Sequence, residues 1–305
     1  MKYIKKFNNH LNYLNFLSSN NFIKPNVSKC VSELDIHYNK WYETRVVAKY
    51  NVTDITQETK ILRSTQNVNL IEIDGNILSS LNTSYQFTEI GIHVIKYTLN
   101  DNTKFILGQA FNGCTNLIDI YIPETVTNIP SYTFNGTSIT SINIPKSITT
   151  IETCAFQATA LTSVKIPNTV VNIGINIFAG NKSLINVILP NNLTTITTSM
   201  FNNCKSLTYI NIPDTVIAIN MMAFLGDDHL LNITIPANVT YIGSEAFRYC
   251  NALQYITCLA TTPPTLSGSN IFPGSYPIYV PSEALSLYQN DESWSIYINR
   301  LQAII

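Results

Sequence analysis

The feature that most constrains this chain is a repeat of 22 or 23 residues in its second half. It is marked by phenylalanines spaced 23, 22, 22, 23, 23 and 23 residues apart: Phe111, Phe134, Phe156, Phe178, Phe201, Phe224 and Phe247. Each of the last six follows a proline by eleven residues. One unit of this size cannot bury its own apolar residues, so the units must stack and share a continuous core.

Each unit reads I-x-I-P-x-x-V-x-x-I and then reaches its phenylalanine. In the first unit these positions are Ile120, Ile122, Val126 and Ile129. The I-x-I alternation has the period of two of a strand with every second side chain inward. Proline ends the strand because it has no N–H to donate. The sequence therefore predicts a mainly β solenoid of about seven turns, with its variable-length loop after the phenylalanine.

The full pattern, I-x-I-P-x-x-V-x-x-I-x-x-x-A-F-x-x-C-x-x-L, resembles the BspA-like leucine-rich repeats over about residues 106–258. The alanine of that pattern is present at Ala110, Ala155, Ala223 and Ala246, and its glycine at Gly174 and Gly243. The resemblance implies a leucine-rich-repeat solenoid, and it favours a protein of the cell surface or extracellular space, or of a phage virion.

The tail, residues 259–305, resembles the closing segment of that family and is predicted to be a C-terminal cap. Ser282 is a candidate cap of a short helix. The apolar residues expected to cover the open end of the stack are Leu285, Leu287, Tyr288 and Trp294.

The first third of the chain has a different pattern. Residues 44–105 hold short strand-like runs with a turn signal at Asp74-Gly75, which predicts a small β-sandwich resembling immunoglobulin-like modules. Residues 1–43 are predicted to be an N-terminal helix followed by an extended docking segment. The helix has an apolar stripe at Phe7, Leu11, Leu14 and Leu17, which packs on this protein or docks on another. The N-terminus lacks a signal-peptide pattern, and no apolar run is long enough to span a membrane.

The cysteines are predicted to be free thiols. Cys114, Cys204 and Cys250 share the position three residues after the phenylalanine. Even the closer two of these, Cys204 and Cys250, are two turns apart, about 10 Å at the spacing of strands, whereas a disulfide needs Cα atoms within about 7 Å. The sequence also lacks the close cysteine pairs of a zinc site.

Catalysis is not predicted. A glycosidase needs two carboxylates across a groove, but Asp119 is the one carboxylate among fourteen outward strand positions. The cluster Asp227-Asp228-His229 could hold a metal ion or form a solvated turn, and its place on one loop favours the turn. Nucleophile elbows, phosphate loops and dinucleotide fingerprints are also lacking, so we expect no cofactor.

Binding is the remaining chemistry. Only 12% of residues are charged and the net charge is −1, so neither nucleic acid nor membrane insertion is expected. Tyrosines and amides on the strand face form a recognition surface, although any soluble stack also needs a polar face. The candidate residues are Asp119, Tyr121, Asn143, Lys165, Tyr209, Asn211 and Tyr255.

The sequence thus predicts a non-enzymatic repeat module that binds a protein or glycan ligand at a cell or particle surface. The alternative is a structural component of a phage virion or other assembly, attached to other subunits through residues 1–43.

Overall fold

A computed structural model describes residues 45–100 and 108–304. These residues belong to one compact unit, Glu43–Ile305. The helix and docking segment predicted for residues 1–43 lie outside the described residues.

The described elements follow in chain order. The strands are β1 (Arg45–Val52), β2 (Thr59–Lys60), β3 (Val68–Ile73), β4 (Asn76–Ile77), β5 (Ser84–Tyr85), β6 (Gly91–Leu99), β7 (Leu117–Tyr121), β8 (Asn128–Ile129), β9 (Thr150–Ile151), β10 (Ser163–Lys165), β11 (Asn172–Ile173), β12 (Asn186–Ile188), β13 (Thr195–Ile196), β14 (Ala218–Ile219), β15 (Asn232–Ile235), β16 (Tyr241–Ile242), β17 (Tyr255–Cys258), β18 (Thr265–Leu266), β19 (Ile278–Val280) and β20 (Leu301–Ala303). One helix, α1 (Leu285–Asn290), lies between the 3₁₀ segments Ser282–Ala284 and Ser295–Arg300.

The repeats form a parallel solenoid in which each turn stacks on the next in the register that the sequence predicts. On the strand face, made by the I-x-I segments, Val164 pairs with Val187 and Ile233 with Ile256. On the second face, made by the V-x-x-I segments, short strands pair in the same way. Two I-x-I segments, at residues 142–144 and 210–212, are not strands. Ile144, Ile210 and Ile212 are nevertheless buried, so the inward alternation continues through these two turns.

The third side of the solenoid is a continuous stack of phenylalanine rings. Neighbouring rings lie 5.4 to 5.8 Å apart between centroids and are inclined by at most 15°. Phe272 follows Phe247 in this stack, although the interval between them is longer than in the repeats. The solenoid therefore has about eight turns rather than the predicted seven, and part of the predicted cap is its last turn.

The chain reverses its direction on both sides of each phenylalanine at residues with positive φ, two before it and two after it. Around Phe156 these are Cys154 and Ala158, with φ of 57° and 54°. Backbone hydrogen bonds to the next turn hold this conformation, as from the N–H of Phe156 to the carbonyl of Ile177 at 3.1 Å. Ile177 stands where the family pattern has alanine, so that departure leaves the turn geometry intact.

The separate immunoglobulin-like sandwich expected for residues 44–105 is not supported. Strands do occur in this region, but β1, β3, β4 and β6 join one five-stranded sheet in the order β4-β3-β6-β1-β7. Its last strand, β7, is the first described strand of the repeats, and β1 pairs with it antiparallel. The strands β2 and β5 form a small second ladder. An unpaired first strand would be an exposed edge, and β1 covers it.

Aromatic residues close the phenylalanine stack at both ends. Tyr97 of β6 contacts the ring of Phe111 at 5.5 Å. At the other end Trp294 contacts Phe272 at 5.3 Å and donates its indole N–H to the carbonyl of Pro264 at 2.7 Å. A polar handle of this kind is how a buried tryptophan avoids an unpaired donor.

The structure confirms part of what the sequence predicts for the C-terminal cap. Trp294 and Tyr288 are fully buried, as predicted, and Leu285 is partly buried. The prediction that Leu287 covers the end of the stack is wrong, because this side chain is 54% exposed. Ser282 does not cap the helix: it lies inside the 3₁₀ segment, and its hydroxyl donates to Glu283 instead.

A row of buried polar side chains occupies the position three residues after each phenylalanine: Cys114, Thr137, Thr159, Asn181, Cys204, Asp227 and Cys250. The thiols of Cys204 and Cys250 donate to phenylalanine carbonyls of the preceding turn, at 3.2 and 3.0 Å. All five described cysteines are free and buried, which confirms the prediction for them. Cys30 lies outside the described residues.

Asp227 belongs to this buried row and not to the external loop in which the sequence analysis placed it. Its Oδ1 accepts a hydrogen bond from the backbone N–H of Cys204 at 2.8 Å, while its buried Oδ2 has no partner. Asn181 uses the same position, and its Oδ1 accepts from the N–H of Thr159 at 2.6 Å. Burial raises the pKa of Asp227 well above the ordinary carboxyl value, against the opposing effect of the Cys204 hydrogen bond.

Two core substitutions test the register of the stack. Phe156→Ala and Ile144→Ala should each lower the free energy of unfolding by about 2 to 5 kcal/mol, because both side chains fill the shared core. Chemical denaturation measures the loss, and Ile185→Ala is the control, since this exposed isoleucine should cost less than about 0.5 kcal/mol. A loss below about 0.5 kcal/mol at either core position would contradict the register.

Asp227→Asn should stabilise the protein at neutral pH and change little in acid. Because the carboxyl pKa is raised in the folded state, the unfolded chain releases its proton first. Wild-type stability then falls by up to about 1.4 kcal/mol per pH unit as the pH rises from about 4 towards the folded-state pKa. The amide has no such loss, and Asn181 holds one in this row, although its Nδ2, like Oδ2 of Asp227, is buried without a partner.

Urea unfolding over a series of pH values measures this difference. The control is Asp228→Asn, whose partly exposed carboxylate lies 3.6 Å from the ammonium group of Lys205. That variant should gain no stability at neutral pH. An Asp227→Asn protein less stable than the wild type at neutral pH would show that the carboxyl is stabilised as an anion.

Candidate functional site

The strand face carries the residues that the sequence analysis selected. Because side chains alternate along a strand, the residues between the buried isoleucines point away from the core. The parallel register then places equivalent residues of successive turns about 4.8 Å apart, in rows that run along the stack. In β10 and β12, for example, Lys165 lies directly beside Ile188.

The first turn contributes little open surface. Asp119 and Tyr121 are both half-buried in β7, where β1 runs beside them. The carboxylate of Asp119 pairs with the ammonium group of Lys49 at 3.2 Å, and burial raises the pKa of Tyr121. The one carboxylate of the strand-face positions is therefore already held by a cation.

The middle turns are open. Asn143, Lys165, Tyr209 and Asn211 are all exposed. Tyr209 is 56% exposed, the largest fraction of any tyrosine in the described residues. Its turn lies between the turn of β12 and that of β15, in the centre of the stack. The structure thus brings these four residues onto one continuous face.

Tyr255 extends the same face towards the C-terminal end. It is 37% exposed, and its ring meets that of Tyr279 edge-on at 5.9 Å between centroids. Tyr255 pairs with Asn232 of the preceding turn, and Thr257 pairs with Thr234. In these two turns the first outward residue is therefore an asparagine or a tyrosine, and the second is a threonine.

Three aliphatic residues that the sequence analysis did not select also lie on this face. Ile185, Ile188 and Leu231 are 56%, 48% and 40% exposed, on the turns that flank Tyr209. With Tyr209 we call them the apolar centre of the strand face; Ile185 and Leu231 hold the same repeat position two turns apart, with Thr208 between them. Ile188 could have been found from the sequence, because it breaks the apolar–polar alternation in the run Val187-Ile188-Leu189.

The face is almost free of charge. From residue 141 to residue 257, Lys165 is the single charged residue among the outward strand positions that the sequence analysis compared. Neither a pair of carboxylates nor a nucleophile with its base occurs at these positions. The arrangement suits recognition by shape and hydrogen bonds rather than proton transfer or group transfer.

The cluster Asp227-Asp228-His229 does not converge on one point. Asp227 points into the core, whereas Asp228 and His229 form a contact of 3.0 Å at the surface. In the part of the chain that the structure describes, no three histidine, cysteine, aspartate or glutamate side chains are grouped to hold a metal ion. The same part holds no helix long and apolar enough to cross a membrane.

Comparison with known proteins agrees with this architecture. The family described as "BspA type Leucine rich repeat region" matches residues 36–162 and 149–276, in six copies. The match begins and ends outside residues 106–258, the range expected from the pattern. No curated protein matches the chain.

Solved structures of bacterial leucine-rich-repeat proteins are similar to this chain. One from Bacteroides ovatus has 23% identity and a TM-score of 0.52, covering 68% of this chain and 60% of that one. One from T. pallidum has 22% identity and a TM-score of 0.39, covering 54% and 85%. One from Eubacterium ventriosum has 20% identity and a TM-score of 0.37, covering 63% and 67%.

The Bacteroides ovatus structure supports the fold alone, because its identity to this chain is low and the match spans less than two thirds of its length. The family match covers more than half of the present chain, and the isoleucine, proline and phenylalanine positions recur in the register that the structure shows. The chain belongs to the family of BspA-type leucine-rich repeat proteins.

Proposed function

We propose that this chain is a non-enzymatic binding module at a cell or particle surface, and that its strand face recognises a protein or glycan ligand. The observation that carries the proposal is the apolar centre of that face, formed by Ile185, Ile188, Tyr209 and Leu231. Single exposed apolar residues are ordinary, but several on adjacent turns of one face, beside polar residues, are typical of an interaction site.

The fold does not require these apolar residues. The equivalent positions of neighbouring turns hold polar residues, as Lys165 does beside Ile188 and Asn186 does beside Tyr209, and those turns stack as well. A large exposed side chain gains little from water, so its presence at a replaceable position favours a role in binding. The polar rim, with Asn143, Asn211 and Lys165, supplies the hydrogen bonds that give such a contact direction.

The near absence of charge predicts the character of the ligand. An acidic or basic partner would be steered by a field of opposite sign, and Lys165 alone gives almost none. We therefore expect a ligand with a neutral, partly apolar contact surface, and binding that depends only weakly on salt.

Replacing Lys165, Tyr209 and Tyr255 together with alanine should remove most of the affinity and leave folding nearly unchanged. Anchoring aromatic side chains contribute about 2 kcal/mol or more each, which is about thirtyfold in affinity. Their loss from an exposed strand face should change stability by no more than about 0.5 kcal/mol each. Tyr121 is left unchanged because it is half-buried beside β1.

The measurement has two steps. The wild-type chain is screened on an array of glycans and purified extracellular proteins, and surface plasmon resonance then compares the variants on the best ligand. Tyr249→Ala is the control, since this tyrosine is 53% exposed but follows Phe247, away from the strand face. If the triple variant keeps full affinity while deletion of residues 1–43 abolishes it, the proposal fails and the repeats act as a spacer in an assembly.

A further inference from the structure

The second face of the solenoid has one interruption in its hydrogen-bond ladder. At five junctions the residue after the V of V-x-x-I donates its N–H to the equivalent carbonyl of the preceding turn: Thr149 to Thr127, Val171 to Thr149, Ile217 to Thr194, Thr240 to Ile217 and Thr265 to Thr240, all at 2.8 to 2.9 Å. The bond from Thr194 to Val171 does not occur. Every other junction of this row, from residue 127 to residue 265, is closed.

A second row of bonds is interrupted at the same junction. In this row the N–H of the residue after the final isoleucine of V-x-x-I donates to the carbonyl of the final isoleucine in the preceding turn. Gly174 donates in this way to Ile151 at 2.8 Å, and Asn220 to Ile196 at 2.9 Å. Thr197 makes no such bond to Ile173, and β11 does not pair with β13. We call the opening between residues 171–174 and 193–197 the gap.

Burial confirms that the gap admits solvent. The final isoleucine of V-x-x-I is fully buried at Ile129, Ile151, Ile196, Ile219 and Ile242. At the gap the equivalent Ile173 is only partly buried. The same two turns remain joined on the strand face, between β10 and β12, and in the phenylalanine stack. The gap is therefore a local opening of one face and not a break in the solenoid.

Side-chain hydrogen bonds between turns also differ at this junction. Two residues after the proline, a hydroxyl usually reaches back to the preceding turn: Ser147 donates to the carbonyl of Val126 at 2.6 Å, and Thr169 to that of Ile148 at 2.9 Å. At the gap this position is Asn192, and the bond to the preceding turn is missing. Asn238, at the same position of a closed junction, donates instead to the carbonyl of Asp214 at 2.8 Å, whereas the side chain of Asn192 makes no bond to the preceding turn.

The gap opens into a groove of about 570 Å³ that extends over three turns. Its lining is mostly hydroxyl and amide: Ser131, Thr150, Asn172, Thr194, Thr195 and Thr197 are among its residues. The hydroxyl of Thr197 donates to the carbonyl of Gly174 at 2.8 Å and marks one end of the opening. Three turns at strand spacing give the groove a length of about 10 Å.

One carboxylate lines the groove in a fixed position. Glu152 accepts hydrogen bonds from the side-chain amide of Asn128 at 2.7 Å, and from the N–H and hydroxyl of Ser131 at 3.0 and 2.9 Å. The Asn128 bond, together with those from Ser131, lowers the pKa of this carboxyl although partial burial opposes it. The groove thus holds an ionised acceptor, and no lysine or arginine is among its lining residues.

We propose that this groove binds a short neutral glycan. The groove holds several hydrogen-bonding groups. They are the unpaired carbonyl of Val171, the unpaired N–H of Thr194, the threonine hydroxyls and the Glu152 carboxylate. Sugar hydroxyls both donate and accept, so they match such a set. The carboxylate repels an anion, and most of the lining side chains are polar, which favours a polar ligand over a hydrophobic side chain.

The site is distinct from the strand face, and the proposal goes beyond the function inferred for that face. The groove residues lie on the second face, and none of them is an outward residue of the strand face. Substitutions in one site therefore leave the other intact. Failure of either proposal can be recognised while the other stands.

Amide NMR of the full chain tests the proposal with neutral tetrasaccharides of glucose, mannose, galactose and N-acetylglucosamine. We expect at least one to shift the amide signals of Asn172, Gly174 and Thr194, with a dissociation constant of about 1 mM or below. If none of the four shifts these signals, the proposal is wrong. It is also wrong if a capped peptide of alternating valine and threonine shifts them and the sugars do not.

Two variants and a matched control locate the site. Asn172→Ala and Thr194→Val should each weaken binding about fivefold to tenfold, since each removes one hydrogen-bonding group. Thr240→Val removes the hydroxyl of the same row two turns away, at a closed junction, and should bind as the wild type does. Equal affinity of all three variants and the wild type would overturn the assignment.

A third variant tests the gap itself. Asn192→Thr introduces the hydroxyl that bonds to the preceding turn from Ser147 and Thr169, and it should both weaken sugar binding and slow hydrogen exchange at the amide of Thr194. In the wild type this amide should exchange much faster than that of Ile217, whose bond to Thr194 is intact. Equal protection of the two wild-type amides would show that the ladder is continuous and would remove the basis of the site.

Discussion

The structure depends on the contact of each turn with the next, because no turn is stable alone. Each phenylalanine within the stack is buried between two others, and the buried isoleucines of successive turns lie above one another in the shared core. Removing any one turn would therefore expose apolar surface on both neighbours. The same dependence means that both ends must be closed, which β1 and Tyr97 do at one end and Trp294 does at the other.

The sequence could predict the repeats because their information is local and is repeated many times. A spacing of 22 or 23 residues, an I-x-I alternation and a proline each point to the same register. The N-terminal sheet shows the opposite case. Its strands β1, β3 and β6 could be recognised from their composition, but the pairing of β1 with β7 joins segments about seventy residues apart. Neither strand's sequence indicates which strand it pairs with, so the same strands were assigned to a separate sandwich.

The candidate site could also be predicted only in part, where its residues follow the local alternation of a strand. Alternation correctly indicated that Lys165, Tyr209 and Tyr255 point outward. It could not indicate that β1 would run beside Asp119 and Tyr121 and leave them half-buried. Asp227 was misplaced for another reason: a charged residue in a variable loop was taken to be solvated. Its position three residues after Phe224, which cysteines occupy in other turns, already indicated the core.

In a stack of this kind, a residue that differs from the repeat pattern is informative about function when the fold does not require the difference. Ile188 stands where other turns have a polar residue, and Asn192 makes no side-chain bond to the preceding turn where Ser147, Thr169, Thr215 and Asn238 each make one. The first adds an apolar group to an open face, and the second removes a clamp between two turns. Neither change improves the packing of the core. Both occur in the same turn, the fourth of the stack, so one turn alters the two faces of the solenoid at once. That coincidence is the physical reason to look for ligands at the middle of the stack rather than at its closed ends.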